Sequence, residues 1–143
     1  MNSHLRINFP AIIVCFFLLT ALGFLWYGPL FGEPWMAMVG LDPATVEANP
    51  PGAGLWITNI IATIIPLIML AWILNRMEVR TGLQGALIGF LIAFAFIFLT
   101  NLTGDLFAGN PYGLPWITGG YYMVGLSLAG FILGAWKKKR PVA

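Results

Sequence analysis

Long apolar stretches alternate with short polar breaks along this chain. Four stretches, at about 9–30, 55–74, 83–102 and 116–136, contain no Lys, Arg, Asp, Glu or His. A helix needs about 20 mostly apolar residues to cross a hydrocarbon layer roughly 30 Å thick. In lipid the backbone must satisfy its own hydrogen bonds, so each stretch is expected to be a helix. The pattern predicts an all-α fold, an integral membrane four-helix bundle forming a single transmembrane domain over residues 1–143.

The breaks carry local signals. The loop at 75–82 is short, so the second and third spans form an antiparallel hairpin. In the first long break, Glu33-Pro34-Trp35 opens a short helix with Pro34 at its first position, and Asp42 caps a second one beginning at Pro43. Asn49-Pro50-Pro51-Gly52 ends it. Pro66 removes a backbone donor in mid-span and frees the Ala62 carbonyl, giving a kink healed by neighbours or a hinge. Gly85-xxx-Gly89 and Gly130-xxx-Gly134 place small residues on one helix face, for packing inside the bundle.

Charge placement orients the spans. The basic residues are Arg6 before the first span, Arg76 and Arg80 between the second and third, and Lys137, Lys138, Lys139 and Arg140 after the fourth. The other two loops hold Glu33, Asp42, Glu47 and Asp105 and no basic residue. Basic residues stay cytoplasmic, so both termini are expected there, with the chain in the cytoplasmic (inner) membrane. Trp26, Tyr27, Trp56 and Trp116 then fall at outer ends and Trp72 and Trp136 at inner ends, at headgroup level. A cleaved signal peptide is the alternative for the first span, with Ala21-Leu22-Gly23 as a loose cleavage site. The apolar run continuing to Leu30 argues against it.

Composition narrows the chemistry. The chain is 59% hydrophobic and 8% charged, against roughly 25% charged in soluble domains. The single cysteine, Cys15, precludes an internal disulfide. The single histidine, His4, lies ahead of the spans, so no bis-His haem, His-rich metal centre or Ser/His/Asp set is expected within them. No catalytic, metal or cofactor residue is assigned. A lipid- or quinone-linked enzyme is the remaining enzymatic alternative.

The halves echo each other. Gly28-Pro29-Leu30-Phe31-Gly32-Glu33-Pro34 follows the first span, and Gly104-Asp105-Leu106-Phe107-Ala108-Gly109-Asn110-Pro111 follows the third. Trp56-Ile57-Thr58 and Trp116-Ile117-Thr118 open the second and fourth. An internal repeat of two tandem hairpins about a pseudo-two-fold axis would set Thr58 and Asn59 against Thr118 and Gly119. Polar side chains in or beside the spans mark a candidate polar site: Thr58, Asn59, Thr63, Asn101, Asp105, Thr118, Tyr121 and Tyr122. They are expected either to bond between helices, at roughly 0.6–2 kcal/mol each, or to line an outer vestibule of Asn59, Asn101, Asp105 and Tyr121. Asn101-Leu102-Thr103 matches a glycosylation acceptor but lies too close to the membrane for a transferase. The cluster Lys137, Lys138, Lys139 and Arg140 is expected to hold anionic lipid headgroups rather than nucleic acid.

The segment Leu25-Trp26-Tyr27-Gly28-Pro29-Leu30-Phe31-Gly32, with Pro34-Trp35-Met36 and Gly40-Leu41 after it, resembles the bacterial membrane family catalogued as domain of unknown function 1761. Leu83-Gln84-Gly85-Ala86-Leu87 and Ile88-Gly89-Phe90 resemble that family's third helix, and Ile117-Thr118-Gly119-Gly120-Tyr121-Tyr122 its fourth. Thr118 and Tyr122 stand where the family often has Asn and His. The resemblance implies four spans and no particular activity. The sequence leaves two roles in play. One is a small non-enzymatic protein that self-associates or serves as an accessory subunit beside a partner membrane protein. The other is a small-solute transporter or channel with a polar site at the repeat interface.

Overall fold

The computed structural model describes residues 7–137. They are mostly helical, with no strand among the described residues. Their elements are α1 (Phe9–Leu25), a π-helical turn (Trp26–Leu30), α2 (Gly32–Val39), α3 (Pro43–Ala48), α4 (Ala53–Arg76), α5 (Gly82–Ile92), a second π-helical segment (Ala93–Phe98), α6 (Leu99–Phe107) and α7 (Leu114–Ala135). Four continuous helical stretches are long and apolar enough to cross a membrane: Phe9–Leu30, Ala53–Arg76, Gly82–Phe107 and Leu114–Ala135. The third helix thus outruns its expected end near Leu102 and continues to Phe107.

One end of the bundle gathers Arg76, Arg80 and Lys137. Asn8 Nδ2 donates to the Trp136 carbonyl at 2.9 Å, tying the start of α1 to the end of α7. The turn before α5 abuts the same end, with the Thr81 carbonyl against Gly134. Glu33, Asp42, Glu47 and Asp105 lie at the opposite, acidic end, where Met38 of α2 meets Gly113 before α7.

Helix α7 is the central element. It packs against α5, the second π segment, α1 and α6, whereas α4 touches mainly α1 and α7. The closest seam is α5 against α7. A Cβ at Gly85 would strike the Gly130 carbonyl, one at Gly130 the Gly85 carbonyl, and one at Gly89 the Leu126 carbonyl. Only glycine lets the two backbones come this close, so both small-residue motifs serve packing inside the bundle. Ala11, Cys15 and Leu19, each one turn apart on α1, join Leu67, Leu70, Ala71 and Leu74 of α4 and Leu126, Ala129 and Leu133 of α7 in the buried core.

Three helix ends show how the loops are set. Asp42 caps α3 as expected, accepting from Ala44 N at 3.4 Å. Helix α2 starts earlier than expected, at Gly32, so Pro34 is its third residue. Its missing N–H is still one of the first four, which have no partner inside a helix. Helix α4 closes with Glu78 N bonded to the Asn75 carbonyl at 3.1 Å and Val79 N to the Leu74 carbonyl at 3.0 Å. Glu78 takes the left-handed backbone, φ 51°, that glycine usually fills there. Val79 and Leu74 are both buried, supplying the apolar contact that accompanies this motif.

Candidate functional site

The polar residues singled out in the sequence do not converge. Thr58 Oγ1 donates to the Gly54 carbonyl and Thr63 Oγ1 to the Asn59 carbonyl, both at 2.8 Å and both within α4. Thr118 Oγ1 returns to the Leu114 carbonyl in α7 at 3.1 Å. A hydroxyl on a helix reaches the carbonyl four residues back more readily than a neighbouring helix. Asp105 accepts from Asn110 Nδ2 at 2.9 Å, just past the end of its own helix. Asn101 is half-buried on α6 and Tyr122 is exposed. The expected facing of Thr58 and Asn59 against Thr118 and Gly119 is absent. Phe98 covers Gly119, and α4 is exposed throughout 53–62. Asn59 is exposed there, and its side chain has no hydrogen-bond partner among the described residues.

Of the eight, only Tyr121 bonds between helices, its hydroxyl donating to the Leu19 carbonyl of α1 at 2.9 Å. It belongs to an aromatic cluster at the acidic end that was not foreseen. The π-helical turn is its base. Pro29 lies within this turn, and Gly28 leaves helical geometry at φ −105°, ψ −107°. Trp26 and Tyr27 continue the face of α1 on which Leu19, Leu22 and Gly23 already meet α7, and the turn begins at their level. Trp26 Nε1 donates to the Ile117 carbonyl at 2.9 Å. Its ring lies against Gly120 and at 4.7 Å from Phe31. Tyr27 stands 5.1 Å from Trp35 of α2 and 5.6 Å from Tyr121, and Tyr121 stands 5.1 Å from Tyr122.

Helix α7 is therefore clamped at Gly119 and Gly120 by a ring from each π segment, Phe98 on one and Trp26 on the other. Trp26 and Tyr27, expected at headgroup level, are half-buried in this cluster instead. Trp56, Trp72, Trp116 and Trp136 remain exposed near the helix ends. The signal that would have located the cluster is the Trp-Tyr-Gly-Pro run itself. A Gly-Pro pair inside an apolar helix end forces a change of helical pitch there.

At the basic end, Lys137 is half-buried, Arg80 is exposed, and Arg76 lies 5.4 Å from the Trp72 ring centre. Burial holds the Lys137 ammonium below the ordinary lysine pKa, and the charge of Arg80 pushes it the same way. The other basic residues assigned to this anchor, Lys138, Lys139 and Arg140, lie outside the described residues. Among the described residues no three His, Cys, Asp or Glu side chains come together.

The two stretches that meet in the aromatic cluster, 25–32 and 117–122, are among those that carried the family resemblance. No curated protein and no solved structure matches the chain. A family model described as "Protein of unknown function (DUF1761)" matches residues 10–134, and the chain belongs to that family.

Proposed function

We propose that this membrane protein is a non-enzymatic component of the bacterial inner membrane that works by self-association, two copies meeting along the free half of α4. The observation that carries this reading is Asn59. Its amide sits on a lipid-spanning helix, exposed and without a side-chain partner among the described residues. An amide facing hydrocarbon is costly until it finds a hydrogen bond. Asparagine offers both donors and an acceptor, so a two-fold contact lets the same residue on each copy satisfy the other. Leu55 and Ala62 share the Asn59 face, and Ala62 leaves room for close approach. The gathering of Arg80 and Lys137 at one end, with the acids at the other, supports cytoplasmic termini.

Photobleaching of single molecules in liposomes across protein-to-lipid ratios tests this. The wild type should move from monomer to dimer as density rises. Asn59→Leu should weaken the dimer about tenfold, the effect of losing one interhelical amide contact. A wild type that stays monomeric at every density sinks the reading, as does a variant that associates equally well.

The transport reading draws on the same exposure, since a half-helix standing clear of its neighbours can also border water. A single cysteine at position 59, with Cys15 replaced by serine, separates the two. Modification by a membrane-impermeant maleimide favours a water-filled path, and protection favours a lipid or protein surrounding.

A further inference from the structure

Two cations that are far apart in sequence are brought together at the basic end. The close approach of α5 and α7 places the Thr81 carbonyl against Gly134 and Gly82 against Phe131. Arg80 immediately precedes this contact, and Lys137 lies three residues past Gly134. The glycine seam thus brings the turn that carries Arg80 and the end of α7 that carries Lys137 to one corner of the bundle, near enough for the Arg80 charge to bear on the Lys137 ammonium. Thr81 Oγ1 accepts from Gln84 N and Gln84 Oε1 accepts from Arg80 N, both at 3.2 Å, so the backbone carrying Arg80 is itself held.

Like charges held side by side repel, and the half-buried Lys137 has also lost part of its hydration. An anion seated between the two would offset their repulsion and replace the hydration that Lys137 has lost. The exposed indoles of Trp72 and Trp136 mark headgroup depth at this same end. The anion available there in quantity is a lipid phosphate.

We propose that Arg80 and Lys137 form a binding site for the phosphate headgroup of an anionic phospholipid, seated between the α4–α5 turn and the end of α7. The site is defined by geometry rather than by net charge, and this distinguishes it from the diffuse attraction of a basic tail. It does not depend on self-association, because both residues belong to one chain.

The full chain in uncharged detergent is titrated with phosphatidylglycerol or phosphatidylcholine, and bound lipid is counted by native mass spectrometry. Phosphatidylglycerol should bind selectively. Removing both charges in Arg80→Gln/Lys137→Gln should weaken it tenfold or more, because both charge-assisted contacts to the phosphate are lost. The triple variant Lys138→Gln/Lys139→Gln/Arg140→Gln removes more charge but spares the pair, and should weaken binding less than the double variant. A triple variant that loses as much as the double one overturns the proposal in favour of diffuse attraction. Equal binding of both lipids overturns it too. Displacement of the lipid by inorganic phosphate at equal concentration would make the site one for free phosphate and overturn the lipid assignment. The single variants Arg80→Gln and Lys137→Gln give the same reading, each with part of the loss, if the double variant does not fold.

Discussion

The two helical hairpins are held together in different ways. Helices α5 and α7 meet backbone to backbone, through Gly85, Gly89 and Gly130, along a seam where a single added carbon would strike a carbonyl. Helices α1 and α4 meet through side chains, and only along the half of α4 that carries Leu67, Leu70, Ala71 and Leu74. The other half of α4 contributes nothing to the core. Lipid tails are as apolar as leucine, so in a membrane burial of apolar area does little to draw helices together. Close van der Waals contact must do it, and that needs small residues facing each other. The seam has them. The free half of α4 has Gly54, which faces nothing within 4 Å. Pro66 stands at the boundary between the free and docked halves.

The sharpest way to break this contrast is to add one methyl group to each hairpin. Gly85→Ala drives its Cβ into the Gly130 carbonyl, which belongs to a hydrogen-bonded backbone and cannot give way as a side chain would. A stability loss of about 3 kcal/mol, at the upper end for overpacking, is expected in thermal or denaturant unfolding in detergent. Gly54→Ala, with open space around it, should change stability by no more than about 0.5 kcal/mol. Equal losses at the two positions would mean that the glycine seam is not what distinguishes the hairpins.

Much of this contrast could be read from the sequence, and part could not. The four spans follow from apolar run length. Packing within the bundle follows from the Gly-xxx-Gly spacing, because a helix puts residues four apart on one face. The polar site did not follow. Thr58, Thr63 and Thr118 were expected to reach across helices, yet each hydroxyl returns to its own backbone. Sequence spacing says which residues share a face but not whether a neighbour stands opposite. The repeat in words, likewise, is not matched by local structure. Gly28-Pro29 lies in a π-helical turn, while Gly104-Asp105 continues a regular helix that ends at Phe107. Glu78 was equally unforeseeable as a helix terminator, since the left-handed position usually announces itself by glycine.

The next test sharpens the contrast at the acidic end, where side chains rather than glycines bridge the hairpins. Tyr121→Phe keeps the ring against Tyr27 and removes only the hydroxyl that reaches the Leu19 carbonyl. A loss of about 1 kcal/mol is expected, that of one interhelical hydrogen bond. The ring contacts should persist, so fluorescence from the neighbouring Trp26 should keep its wavelength. If the hydroxyl contributes nothing measurable, then ring packing and the Trp26–Ile117 hydrogen bond hold the first span to α7 at this end.

The smallest effect falls on the free half of α4. Thr63→Val replaces a hydroxyl by a methyl of similar size, and the hydroxyl bonds only to the Asn59 carbonyl of the same helix. That carbonyl already accepts the backbone bond expected at this point in a helix, so it is not left bare. The exchange also removes one polar group from a lipid-spanning stretch, which offsets the lost bond. Stability should move by less than about 0.5 kcal/mol. A loss approaching that of Tyr121→Phe would show that Thr63 bonds across to another helix in the bilayer. In that case the free half of α4 is docked within its own chain, and the contrast between the hairpins narrows to the glycine seam alone.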